Sequence, residues 1–209
     1  MILTDEQKDA LTELINIAFS RTAAALSDLT GHRVTLNVPK VAVHPITDLQ
    51  TALAEFVVGE IASVHQIFTG PVSGDAILML NYEGANSLVD LLTGEEAGAG
   101  RLDVSGQEVL METGNILLNA CLGVFGNLLK VHVAFSVPRL HLEALNNMLD
   151  SLVIGKEELR YALVIYTTFR IKDSAVTGYL IIVLGVASLD RLLRAVEEWA
   201  QLETGENKT

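Results

Sequence analysis

The same order of segments occurs twice in this chain. Gly74-Asp75-Ala76-Ile77-Leu78-Met79-Leu80 stands before a helical pattern, and so does Gly178-Tyr179-Leu180-Ile181-Ile182-Val183-Leu184. Each is a mostly apolar run of strand length. Each belongs to a stretch that opens on a long amphipathic helix and passes through an extended segment closed by proline. A repeat on this scale means that each half buries its apolar surface against the other. The expectation is an α+β fold: a pseudo-two-fold duplicated helix–strands–helix unit whose mainly antiparallel sheet is packed by long helices. One domain over 1–209 then consists of two repeats, about 1–100 and 101–209.

The local signals supply boundaries. Thr4 to Leu29 carries apolar residues at helical spacing (Leu11, Leu14, Ile15, Ala18, Thr22, Ala25, Leu26, Leu29), with a Thr4/Gln7 capping box and a stop at Gly31. Arg33–Val43 is extended and closed off by Pro39 and Pro45. Glu55–Phe68 reads as one or two strands, Ala76–Leu80 as a strand and Gly84–Leu92 as a short helix ending at Gly94. Gly94–Gly100 is the linker. A Ser105/Glu108 capping box then opens a helix to about Leu129, Val131–Val137 is extended up to Pro138, and Leu140–Glu158 reads as an insertion with a short helix. Arg160–Ile171 and Thr177–Leu184 are strands, and Ser188–Gln201 is an amphipathic helix.

Composition narrows the function. Of 209 residues half are hydrophobic but only 5% aromatic, so the core is aliphatic and the chain is too apolar to be disordered. Fourteen Lys+Arg against 26 Asp+Glu give a net charge of −12. This argues against nucleic-acid binding, which needs clustered cations. The charge is lopsided: residues 1–100 hold 4 basic and 13 acidic side chains, residues 101–209 hold 10 and 13. One cysteine excludes an internal disulfide and a cysteine-based zinc site. The start, MILTDEQKDAL, does not read as a secretory leader. The uncharged runs Thr113–Leu129 and Ser174–Leu189 are shorter than the ~20 apolar residues of a spanning helix. The expected setting is cytoplasmic, without membrane insertion.

Each long helix also carries a polar row. Asp9, Glu13, Asn16 and Ser20 lie opposite the apolar face of the first, and Glu108, Glu112, Asn115 and Asn119 repeat the spacing on the second. Leu110, Thr113, Leu117, Ala120, Cys121, Val124 and Leu128 occupy the other side, and Met111, Leu118 and Leu122 widen it toward the other half. Asn is disfavoured inside helices, yet it occurs mid-helix twice at matching register, each time with a proline 23 positions on (Pro39, Pro138).

This pattern resembles the Asp/Ser-x3-Glu-x2-Asn-x22-Pro signature of the CheC/FliY/CheX chemotaxis phosphatases. Asp9, Glu13, Asn16 and Pro39 match it fully, and Glu112, Asn115 and Pro138 match it with Glu108 at the first position. Two copies over the whole chain look like CheC rather than single-copy CheX, and nothing after the second copy resembles the segment that docks FliY into the flagellar switch. The resemblance implies hydrolysis of the aspartyl phosphate of a CheY-like response-regulator receiver. Asn16 and Asn115 would orient the attacking water, and Glu13 and Glu112 would hold the receiver's lysine. It implies no cofactor of the chain's own, because the receiver carries the Mg²⁺. It also implies CheD as a possible partner. The alternative is a non-catalytic docking module for a receiver or a CheD-like protein. It draws on departures from the pattern: Ile15 where Gly often precedes the Asn (Gly114 fits), bulky Phe19 and Arg21 facing a docking receiver, and Glu108.

The remaining features read as structural. Five histidines (His32, His44, His65, His132, His141) show no paired-ligand spacing, Cys121 falls on an apolar helix face, and Asp190 and Arg194 form a surface pair.

Overall fold

The computed structural model describes residues 3–54, 57, 59–94, 102–153, 160–171 and 174–206. Helix α1 (Asp5–Thr30) begins where the sequence places it. Thr4 Oγ1 accepts from the Gln7 N–H at 3.1 Å, the Gln7 side chain accepts from the Thr4 N–H at 2.9 Å, and Gly31 ends the helix at φ 67°. Strand β1 (Val34–Pro45) leads through a short 3-10 turn (Ile46–Asp48) into α2 (Leu49–Ala54). Then come β2 (Glu60–Thr69), β3 (Gly74–Asn81) and α3 (Tyr82–Thr93). The second half supplies α4 (Val104–Leu129), β4 (Ala134–Phe135), β5 (Arg139–Ala144), α5 (Leu145–Val153), β6 (Arg160–Ile171), β7 (Ser174–Gly185) and α6 (Val186–Glu206).

All seven strands form one antiparallel sheet in the order β1-β6-β7-β3-β2-β4, with β5 continuing the β4 edge along β2. The order maps onto itself when the halves are exchanged. At its centre the two matching heptapeptides lie side by side, and Ile77 pairs with its own counterpart Ile181. The halves also interlock. β1 pairs with the second half's β6, while β4 and β5 pair with the first half's β2. We infer a duplication within one domain. Most of the linker, from 95 on, lies outside the described residues.

Strand alternation divides the core in two. Ala62, Val64, Phe68, Ala76, Leu78 and Leu80 face a layer of α1, α3, α4 and α6. Ile61, Ile77, Met79, Ala162, Val164 and Ile181 face α2 and α5 on the opposite side. Covered on both faces, β3 and β7 need the unbroken apolar runs seen in the sequence. Each fully buried Ile or Leu contributes about 1.5–3 kcal/mol.

The structure revises several expectations. The N-cap of α4 is Asp103, whose carboxylate accepts from the Gly106 N–H at 2.7 Å, rather than Ser105 with Glu108. A carboxylate interacts well with the positive end of a helix, and it places Ser105 and Glu108 inside the helix, both exposed. β1 does not stop at Pro39. It continues through a register shift between Asn37 and Lys40, as an edge strand can, since a bulge there tolerates the missing N–H. In the second copy the strand breaks outright between Phe135 and Arg139, around Pro138. The extended reading of Val131–Val137 thus shrinks to β4. Residues 140–153 are no insertion either: β5 and α5 occupy the place that Lys40–Pro45 and α2 occupy in the first half, and 154–158 lie outside the described residues. Helix α2, at six residues, is too short to show a helical period in the sequence. The two short helices meet, with Gln50 Nε2 donating to Asn146 Oδ1 at 3.0 Å.

Gly74 opens β3 against β7 with no room for a side chain: a Cβ there would drive into the Val183 carbonyl oxygen and the Phe68 ring. Gly74→Ala is therefore expected to lower the unfolding free energy by at least about 2 kcal/mol, seen as a lower urea midpoint with an unchanged slope.

Candidate functional site

Both polar rows lie on the outside of the long-helix layer. Asp9, Glu13 and Ser20 on α1 and Glu108 and Glu112 on α4 are exposed, and Asn16, Asn115 and Asn119 are half-buried. Leu11, Leu14, Ile15 and Ala18 on α1, and Leu110, Leu117, Leu118, Cys121 and Leu122 on α4, are buried beneath. α1 and α4 pack against each other, and of the flank Leu118 and Leu122 are buried in the core while Met111 is half-buried. Ala25, expected on the apolar face, is exposed. Phe19 is fully buried, so it is a core residue and not an obstacle to a docking receiver; Arg21 is exposed.

The second copy is held in a hydrogen-bonded chain. Gln66 on β2 donates from Nε2 to the Ser136 carbonyl at 2.9 Å and to Asn115 Oδ1 at 3.4 Å. Asn119 Nδ2 donates to the same Oδ1 at 2.8 Å. A main-chain carbonyl can only accept, so Ser136 fixes which end of the Gln66 amide faces it. Gln66 then requires an oxygen from Asn115, and Asn115 requires a nitrogen from Asn119. Asn115 is left with its Nδ2 donor as the end not engaged in this chain. Ser136 sits two residues before Pro138, so the strand break at the motif proline delivers the carbonyl that sets the amide.

Gly114 permits this approach. A Cβ at that position would lie 2.7 Å from Val64 side-chain atoms, so α4 crosses β2 with the glycine backbone against the strand. At the corresponding place in α1, Ile15 is fully buried and fills the interface with a side chain. The counterpart of Asn119 is Ser20, whose hydroxyl donates to the Asn16 main-chain carbonyl at 2.8 Å. The two copies thus share a row, with Ile15 and Ser20 standing where Gly114 and Asn119 stand. Spacing along the sequence did not find Gln66. Its one signal is a polar residue, 2% exposed, at an inward position of a strand otherwise lined by Ala62, Val64 and Phe68.

The surroundings differ in charge. Beside Glu13, α1 and α6 enclose a cleft of about 660 Å³ lined by Glu6, Asp9, Glu13, Glu197 and Trp199. Gln7 Nε2 closes one side by donating to Glu197 Oε1 at 2.6 Å. Elsewhere, burial pushes the Cys121 thiol up to about 12, so it stays protonated and takes no part in surface chemistry. Among the described residues no group of three or more His, Cys, Asp or Glu side chains is placed to hold a metal ion. Asp190 and Arg194 form the expected exposed pair at 2.8 Å. α4 is long and apolar enough by composition to cross a bilayer, but half of its most apolar stretch is buried in this fold.

Replacing Gln66 by Leu removes the link between Ser136 and Asn115 while keeping an apolar body over the sheet. The Asn115 side-chain amide resonances in a nitrogen–proton correlation spectrum are expected to move and broaden, with those of Asn146 unchanged.

No protein-family model matches the chain. In sequence it is 30% identical over 92 residues to the flagellar motor switch phosphatase FliY of Bacillus subtilis (strain 168), a match that takes in 44% of this chain and 23% of that protein. The chain therefore spans about a quarter of the length of that relative. In fold it is similar to Thermotoga maritima FliY, with a TM-score of 0.75 at 20% identity over 95% of this chain and 99% of that one. The FliM middle domain of H. pylori has the same fold at a TM-score of 0.62 and 13% identity, over 92% and 99% of the two chains. With the doubled Glu-x-x-Asn row on its two long helices, this chain is similar to FliY over part of its sequence and shares the FliY fold along nearly all of its length.

Proposed function

We propose that the chain accelerates hydrolysis of the aspartyl phosphate on a CheY-like receiver domain, with Glu13 and Asn16 forming one site and Glu112 and Asn115 the other. The observation that carries this reading is the second copy. There an exposed Glu112 stands one turn from an Asn115 whose amide is held in one orientation. The kinship with FliY, named a phosphatase in Bacillus subtilis, supports it.

The chemistry suits so sparse a site. An acyl phosphate is already activated, so its hydrolysis requires an in-line water and charge stabilisation more than a covalent partner. Asn115 Nδ2 donates to the water oxygen and fixes its position. The water oxygen bonds to phosphorus as the bond from phosphorus to the aspartyl oxygen breaks. The aspartate leaves as a carboxylate, and the water's proton ends on inorganic phosphate. Glu112 receives the receiver's lysine and so sets the docking register. The receiver brings its own Mg²⁺. A CheD-like deamidase is the second partner we propose, on the resemblance alone.

A second reading, docking without turnover, draws on the first copy. Ile15 and Ser20 there replace Gly114 and Asn119, and the fold is shared with the FliM middle domain. Release of phosphate from a labelled receiver separates the two. Asn16→Ala with Asn115→Ala is expected to abolish the acceleration while leaving the fold and receiver binding intact. An unchanged phosphate lifetime with the wild-type chain at saturating concentration would favour docking alone.

The uneven charge adds a finer expectation. The phosphorylation pocket of a receiver is itself acidic, so residues 1–100, with 4 basic and 13 acidic side chains, repel it more than residues 101–209, with 10 and 13. At low salt the Asn16→Ala protein, which keeps the second site, is expected to work severalfold faster than Asn115→Ala. The gap should narrow as ionic strength rises toward about 0.5 M. Equal rates at both salt concentrations would reject this.

A further inference from the structure

The sheet face turned away from the Glu-x-x-Asn rows carries a second polar site. β2 and β5 run antiparallel with His65 paired to Arg139 and Ser63 paired to His141. Directly paired residues project from the same face, as do positions two apart. These four side chains therefore form a quartet, about 5 Å across the strands and about 7 Å along them. With Met148 of α5 as a wall, they line a cavity of about 550 Å³.

Several features of this cavity are unusual for a structural cleft. Ser63 is 1% exposed, yet its Oγ has no hydrogen-bond partner although it borders the cavity. A buried hydroxyl is ordinarily satisfied. His65 is held from behind: its Nε2 lies 3.2 Å from Asp75 Oδ1, and Arg160 Nη2 donates to Asp75 Oδ2 at 2.8 Å. The contact with Asp75 sets the His65 ring at a fixed angle. The His65 and His141 rings stand 6.4 Å apart, tilted by 49°. Arg139, exposed, adds a permanent cation with a planar fork of donors. At one end of the quartet lie Ile67, 48% exposed, and Val137, 82% exposed. At the other end stands Glu143, two positions beyond His141.

We propose that this cavity binds a small organic anion. Its carboxylate or phosphate group sits against Arg139, beside the His65 and His141 rings and above the Ser63 hydroxyl, and its apolar part lies on Ile67 and Val137. The order of the side chains sets that orientation. Glu143 repels an anion from the far end, and the apolar shelf adjoins Arg139. A guanidinium recognises a two-oxygen anion through its planar fork of donors. The shelf separates an aryl or alkyl anion from inorganic phosphate. The site is on the opposite sheet face from Asn115, so its occupancy is read without reference to phosphatase activity.

The test is titration of the full chain with benzoate, phenyl phosphate, inorganic phosphate and neutral benzyl alcohol, followed by the His65 and His141 ring proton resonances and by calorimetry. Saturable shifts of both rings with benzoate or phenyl phosphate are expected, the better of the two marking the headgroup. Benzyl alcohol should give none, and inorganic phosphate should bind at least about tenfold more weakly. Arg139→Ala is expected to weaken the aryl anion by about tenfold or more. Val137→Glu, at a position too exposed to disturb folding, should do the same by placing a like charge on the shelf. Absence of saturable shifts up to about 20 mM, or equal affinity in both variants, overturns the proposal. Equal binding of inorganic phosphate overturns the role of the shelf.

Discussion

The pairing of β3 with β7 is the contact on which the rest of the structure depends. It joins the two halves, it lies at the middle of the sheet, and both its faces are covered. Ile77 pairs with Ile181, and the strand order around that pair reads the same from either half. The outer strands then cross over, β1 to β6 and β4 with β5 to β2, so neither half is complete alone. One long helix from each half covers the same face, and α1 and α4 come to lie together with their polar rows outward.

From this common frame the two rows differ at matching positions. In the second half a glycine brings α4 onto β2, and a buried glutamine bridges the asparagine to a main-chain carbonyl. In the first half an isoleucine side chain takes the space, and a serine turns its hydroxyl to its own helix. A side-chain amide is useful in orienting water only when its own orientation is fixed. Fixing it needs a chain of partners ending in a group that cannot rotate. The Ser136 carbonyl is such a group, and it is available because the strand breaks beside Pro138 instead of passing through a bulge as β1 does near Pro39.

The opposite sheet face shows the same economy in a different chemistry. Asp75 and Arg160, from different halves, form an ion pair whose side chains are only 7% and 10% exposed. Removing one member of such a pair leaves an uncompensated buried charge, a loss of about 3–5 kcal/mol. The pair ties β6 to β3 across β7 and at the same time anchors His65, so it is both a structural tie and the back wall of a polar cavity.

The sequence alone determined much of what depends on near neighbours. The capping box at Thr4, the glycine stops, the apolar strands, the solvent-facing rows with Glu13, Asn16, Glu112 and Asn115, and the burial of Cys121 all follow from spacing within a few turns or strand lengths. These signals are short-range because helix period, strand alternation and caps are set by residues within about four positions of one another. Where two local signals competed the nearer carboxylate won, and Asp103 caps α4 in place of Ser105. Only the tertiary structure decided which strands are neighbours, that residues 140–153 mirror residues 41–54, and that Gln66 and Ser136 meet Asn115. Those contacts join residues 49 and 70 positions apart in the chain. Their geometry is set by how a twisted sheet brings its strands together, which no local pattern encodes.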